Sequence, residues 1–256
     1  MANQEEPIKV TDDFKQCWQA AGRHLQSQVD GGLTWMRASL DEPFMEHLSF
    51  RLGNQLFFVR VTDASGELKI PGTDENLMKI AEGCKGHACI MPMKFAFGNW
   101  LPAEKGWGLL SAVDNKPVNP PDLVTDEKIE LTDWELHDFG IQVVRQNLMH
   151  EGEHIAGWVS NPELQPSVWI STEEFPQWVV VQAVRWPAEA KIPDNIKDIE
   201  KAYASREARG NFAYVTFANE NQNVNEPLKE GEKPLPIYRG DKVYISYSGL
   251  LSTEND

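Results

Sequence analysis

The chain is short of several things, and each shortage removes a class of function. No apolar run of about 18 residues occurs along its 256 positions, so no transmembrane helix and no membrane partner is expected. The opening Met1-Ala2-Asn3-Gln4-Glu5-Glu6-Pro7 has neither the basic region nor the apolar core of a secretory signal, which predicts a cytoplasmic protein. Only three cysteines are present, Cys17, Cys84 and Cys89, and an odd, small number suits free thiols in a reducing compartment better than a disulfide framework. Basic residues are few: 24 Lys and Arg stand against 39 Asp and Glu, for a net charge of −15. The average field repels phosphate backbones, and no Lys/Arg cluster interleaves with aromatics, so nucleic acid is not an expected ligand. The G-x-S-x-G elbow, the Walker glycine loop and a G-x-G-x-x-G after a strand are all missing, and no cofactor is expected.

What is present is a folded composition, 41% hydrophobic and 10% aromatic, enough for one large core or two ordinary ones. The sequence also repeats itself. Lys69-Ile70-Pro71 recurs 122 residues later as Lys191-Ile192-Pro193. Before each copy lies a strand-like run, Leu56 to Val61 and Trp178 to Ala183. After each lies a helix-like run in which Leu77 and Ile80 match Ile199 and Ala202. An internal repeat of this kind outranks any single motif as a guide to architecture.

Periodicity fills in the rest. Phe14, Trp18, Ala21 and Leu25 mark a helix from about Asp13 to Gln28, which Asp30-Gly31-Gly32 ends. Strands are expected at Leu33 to Ala38, Leu48 to Leu52, Gln55 to Val61, His87 to Phe95 and Trp107 to Val113, with a helix at Asp74 to Glu82. Pro117, Pro120 and Pro121 lie in a polar stretch from Asp114 to Lys128 that reads as a connection, placing two units at 1–125 and 126–256. In the second unit, Thr132-Asp133-Trp134-Glu135 is a capping box that opens a helix to about Met149. Strands are expected at His154 to Val159, Pro166 to Ser171, Gln177 to Val184, Phe212 to Phe217 and Lys242 to Tyr247, with a helix at Asp194 to Ala204. The expected fold is therefore α/β of the α+β type: a tandem duplication of a helix, three strands, helix, two strands unit, with mostly antiparallel sheets, packed as a pseudo-dimer. Asn219 to Pro236 reads as an exposed loop that orders against a partner.

Several strings resemble reaction centres without their context. His150-Glu151-Gly152-Glu153-His154 fits the zinc-protease pattern, but Gly152 interrupts the helix that must hold both imidazoles on one face, and His154 starts an alternating strand pattern. Cys84, His87 and Cys89 offer two thiolates and an imidazole to a metal; their alternative is a helix end turning through Gly86 into a buried strand. In the strand from Gln177, Trp178, Val180 and Gln182 share one face and Val179, Val181 and Ala183 the other. Both faces are largely apolar, which predicts cover by helices on one side and by the other unit or a partner on the other. Tyr238-Arg239-Gly240-Asp241 reads as a turn that presents an arginine and an aromatic to solvent.

The order of elements from Trp134 to Phe217 resembles the core of the PD-(D/E)XK nucleases, in which carboxylates on the second and third strands hold magnesium. The matching positions here are Pro166-Ser167 and Gln182-Ala183-Val184, and in the first unit Leu48-Ser49 and Arg60-Val61-Thr62; only Glu135 keeps its carboxylate. The resemblance implies a fold retained for binding. The same order, with a fifth strand after the second helix, also resembles the acidic chaperones of type III secretion. That resemblance implies a binder of polypeptide segments whose tandem copies replace a homodimer.

Together these readings predict a non-catalytic, chaperone-like or regulatory protein-binding module for a basic or amphipathic polypeptide. The expected contacts are Trp178, Gln182, Tyr238, Arg239 and Asp241. Two alternatives remain: a divergent metal-dependent phosphodiesterase using Glu135, Asp138, Glu173 and Glu174, and an acidic mimic of nucleic acid.

Overall fold

Threonines start three of the four helices among the described residues, which in this computed structural model are 11–37, 47–69 and 71–253. In α1 (Asp12–Gln26), Thr11 Oγ1 accepts from the Phe14 amide at 3.1 Å; in α2 (Asp74–Gly83), Thr73 Oγ1 accepts from Asn76 at 3.1 Å. In α3 (Asp133–His150) the expected capping box is complete, the Glu135 amide donating to Thr132 Oγ1 at 3.2 Å and the Thr132 amide to Glu135 Oε2 at 2.9 Å. Each cap satisfies a donor that the helix leaves unpaired, and acidic residues in each first turn face the positive end of the helix dipole. The fourth helix, α4 (Ile196–Tyr203), has no side-chain cap.

The chain divides into two compact units, Met1–Glu127 and Lys128–Asp256. The first holds β1 (Thr34–Arg37), β2 (Leu48–Leu52), β3 (Gln55–Asp63), β4 (His87–Ala96), β5 (Asn99–Pro102), β6 (Leu109–Ser111) and β7 (Pro117–Val118). They form one sheet in the order β1-β2-β3-β4-β6-β7, with β5 hairpinned onto β4. The second holds β8 (His154–Trp158), β9 (Val168–Ser171), β10 (Gln177–Arg185), β11 (Arg209–Asn219), β12 (Val243–Tyr247) and β13 (Leu251–Ser252), in the order β12-β11-β10-β9-β8 with β13 on β11. Each sheet is antiparallel except for one parallel pair, β3 with β4 and β10 with β11, joined in each case by a crossover helix.

The two halves are similar sheet-containing units, consistent with duplication. β3 and β10, α2 and α4, and β4 and β11 begin at the 122-residue offset of the sequence repeat. The parallel registers differ: Phe57 pairs with His87, but its counterpart Val179 pairs with Asn211 rather than Arg209. A slip of two residues leaves every side chain on its original face, so both cores survive it. Ile70, at the centre of the first Lys-Ile-Pro, and Ala38, at the end of the first expected strand, lie outside the described residues.

In the first unit, α1 buries Phe14, Cys17, Trp18, Ala21 and Leu25 against Phe57, Val59 and Val61 of β3 and Cys89, Met91 and Met93 of β4. Leu56 and Phe58 alternate to the opposite face, where α2 lies with Leu77 and Ala81 buried. In the second unit, α3 covers Val179, Val181, Ala213, Val215 and Phe217, while Ile196 and Ile199 of α4 pack with Trp178, Val180 and Phe212. The face expected to await the other unit or a partner is thus covered by the unit's own α4. The segment expected to be a free connection is also largely engaged. β7 and a 3-10 turn at Pro120–Leu123 extend the first unit, and Asn54 Nδ2 donates to Thr125 Oγ1 at 2.9 Å and to the Glu127 carbonyl at 2.8 Å.

Candidate functional site

The most polar feature buried in the second unit is a pair expected to be apart. Arg239 Nε donates to Glu135 Oε1 at 2.8 Å and Nη2 to Oε2 at 3.2 Å, and both side chains are 1% exposed. The bidentate geometry matches the guanidinium fork to the carboxylate, and the amide of Thr132 adds a further donor. Around it the chain closes: the Leu131 amide donates to the Ile237 carbonyl at 2.8 Å and the Arg239 amide to the Ile129 carbonyl at 2.9 Å, with Glu130 bridged to Tyr238. Arg239 is therefore not the solvent-facing contact that the sequence suggested, because a buried carboxylate needs its charge. Tyr238 is half-buried beneath Lys128, whose ammonium is 5.2 Å from the ring centre, and Asp241 is exposed in the turn that follows.

A cavity of about 250 Å³ opens at the carboxyl ends of β10 and β11, between Glu130, Arg185, Trp186, Asn219, Lys233 and Leu235. Crevices at this end of parallel strands are recurrent ligand positions. Arg185 is fixed by Asp133 at 3.0 Å, by Glu130 at 3.3 Å and by the Leu131 carbonyl. The loop Asn219 to Pro236, expected to order only against a partner, forms the cavity's rim through bonds of its own. Asn219 Nδ2 donates to the Pro236 carbonyl at 2.7 Å, and the Leu235 amide donates to Gln222 Oε1 at 2.9 Å.

The carboxylates of the phosphodiesterase alternative are not brought together. Glu135 sits at the start of α3, beside the Arg185 end of β10, whereas Glu173 and Glu174 are exposed in the turn before Gln177. The nine residues of β10 separate them by about 26 Å at the rise of a strand. Asp138 is half-buried on α3. Trp178 is wholly buried under α4, and Gln182 is half-buried on the same face.

The candidate thiol and imidazole ligands also diverge. Cys84 caps α2 on one side of the sheet, while Cys89 is buried in the α1 core, where burial pushes its thiol up to about 12. His87 stacks on Phe57 at 5.0 Å and contacts Gln55 Oε1 at 3.0 Å. Among the described residues no group of three or more His, Cys, Asp or Glu is placed to hold a metal ion. His150 ends α3 and His154 begins β8, with Gly152 at φ +89° between them, so the zinc-protease string does not lie on one helical face.

Sequence reasoning missed the most exposed apolar feature among the described residues. β4 runs past the end of β3 and turns back as β5 through a two-residue loop, Phe97-Gly98, with Ala96 paired to Asn99. Both loop residues have positive φ, +53° and +79°, the geometry that favours Asn-Gly or Asp-Gly. A phenylalanine there carries a backbone penalty of about 1–2 kcal/mol. It recovers nothing by burial, since Phe97 is 98% exposed, and Phe95 and Leu101 beside it are 60% and 41% exposed. The missing Asn or Asp is why the turn was not legible.

With this geometry in view, comparison with known proteins adds one finding. Residues 134–253 are similar to a family described as Domain of unknown function (DUF8840). The match runs from the first turn of α3 through β13, nearly the whole second unit. No curated protein and no solved structure matches the chain.

Proposed function

We propose that the protein is a cytoplasmic, non-catalytic binding module for a polypeptide partner, and that its β4–β5 hairpin is the leading contact. The observation that carries this reading is Phe97. An aromatic ring held at positive φ and left in water stabilises neither the turn nor the core, whereas aromatics that protrude in this way anchor interfaces. The net charge of −15 favours a basic or amphipathic partner, and three free cysteines suit a reducing compartment. The test is Phe97→Asn, which supplies the residue that the turn favours. It should raise stability by about 1 kcal/mol and at the same time abolish capture of a stoichiometric partner that wild type retains with or without chelator. A partner held equally well by Phe97→Asn, or one released by chelator, would refute the reading.

A further inference from the structure

The second unit displays a contact for which the first unit keeps only the cradle. In α3, the Arg145 guanidinium lies 3.2 Å from the centre of the Trp158 ring, and its Nη1 donates to Gln142 Oε1 at 2.8 Å. The buried stripe Gly140, Ile141, Val144, Leu148 of α3 has the same spacing as Cys17, Trp18, Ala21, Leu25 of α1. Superposing the stripes puts Gln142 on Gln19 and Arg145 on Gly22. The strands agree: Trp35 pairs with Phe50 and Phe50 with Phe57, while Trp158 pairs with Val168 and Val168 with Val179, the repeat counterpart of Phe57. Trp35 is therefore the counterpart of Trp158. At the matching positions the first unit has the tryptophan and the glutamine, but Gly22 stands in place of the arginine.

The vacated space is a groove of about 430 Å³ lined by Trp18, Gln19, Gly22, Gln26, Trp35 and Leu48, with Arg23 exposed at its rim. Among the described residues, a Cβ on Gly22 would meet no atom within 4 Å. The Trp35 indole N–H donates to Gln26 Oε1, which holds the ring in place. We infer that this groove receives an arginine side chain from a polypeptide partner, with the guanidinium over Trp35 and hydrogen-bonded to Gln19. A planar cation over tryptophan is the strongest pairing of its kind, and the planar fork distinguishes arginine from lysine. The protein's net charge of −15 draws in such a partner. The inference rests on the binding-module reading and adds the chemistry of a second contact.

The test titrates N-acetylarginine amide into the full chain and follows the Trp35 indole N–H resonance by NMR. Wild type and Gly22→Ala should show a saturable shift. Gly22→Arg should fill the groove from within, weakening the probe about tenfold or more, and should move the Trp35 resonance as the bound probe does. Gln19→Ala should weaken binding, Arg23→Ala should strengthen it, and N-acetyllysine amide should bind more weakly. No saturable shift, equal binding of the lysine probe, or undiminished binding to Gly22→Arg each overturns the inference. So does a wild-type dimer in sedimentation that Gly22→Arg dissociates, because a second copy would then be the occupant. Failure of the arginine probe with Phe97-dependent capture intact refutes the cradle alone. Absence of any captured partner refutes the module, while the probe titration still decides the cradle.

Discussion

Removing either member of the Glu135–Arg239 pair should destabilise the second unit far more than removing both. With both side chains 1% exposed, Arg239→Met takes the guanidinium away from the Glu135 carboxylate, and Glu135→Met takes that carboxylate away from the guanidinium, in a site closed to water. An uncompensated buried charge costs about 3–5 kcal/mol. Glu135→Met also dismantles half of the capping box, worth about another 1 kcal/mol. The double variant restores an apolar, sterically similar filling and keeps only the cap loss of about 1 kcal/mol, so it should fall short of the summed single losses by about 6 kcal/mol or more. The assay is urea unfolding followed by far-UV circular dichroism. Amide exchange at the start of α3 assigns the transition to the second unit, since two units need not unfold together. Single losses below about 1 kcal/mol, or an additive double variant, would refute a buried and mutually dependent pair.

Two further predictions probe packing and titration. Gly140→Ala should stabilise the chain by about 1 kcal/mol, because the new methyl finds ordinary contacts at 3.5–3.7 Å with Val181, Ala183 and Val215 in a helix interior. Gly210→Ala should destabilise it by about 1–3 kcal/mol, because the same methyl would stand 2.4 Å from the buried Trp178 ring; thermal melts of the two variants should move in opposite directions. Burial pushes the Cys17 thiol, helped by the charge of Asp63, and the Cys89 thiol up to about 12, so neither should react with thiol reagents at neutral pH. The unfolded thiols ionise near 9.0 and the folded ones do not. Their contribution to stability is therefore complete below pH 9.0 and is lost between there and about 12. A Cys17→Ala, Cys89→Ala variant should lose less stability than wild type across that window, and an equal loss would refute the assignment.

The local frame of the fold was legible in the chain because local rules govern it. The stripe Phe14, Trp18, Ala21, Leu25 and the box Thr132 to Glu135 are short-range patterns, and α1 and α3 start within a residue or two of where these place them. The repeat was legible for the same reason, being a likeness of order and spacing rather than of contact. What was not legible depends on pairing across distance. Arg239 meets Glu135 over 104 residues, and nothing in Tyr-Arg-Gly-Asp marks its arginine as buried. The role of α4 as cover for Trp178 and Val180 was assigned to the other unit or a partner, since an apolar strand face shows that it needs cover and not what supplies it. The hairpin at Phe97-Gly98 was hidden by its own anomaly, a strained residue where turn chemistry asks for Asn or Asp. Gly22 gains meaning only beside Arg145, because a missing side chain leaves no pattern of its own.

The closure of Ile129–Leu131 onto Ile237–Arg239 has a consequence for how the protein is made. A ribosome delivers residues in order, so Glu135 emerges 104 residues ahead of the guanidinium that neutralises it. Through that interval the carboxylate must stay hydrated, and the first turn of α3 cannot seat against its final neighbours. The first unit, by contrast, is compact within Met1–Glu127, all of which has emerged before the second unit begins. Synthesis therefore presents a finished amino-terminal unit, with Phe97 already in solvent, while the carboxyl-terminal unit waits for one late arginine.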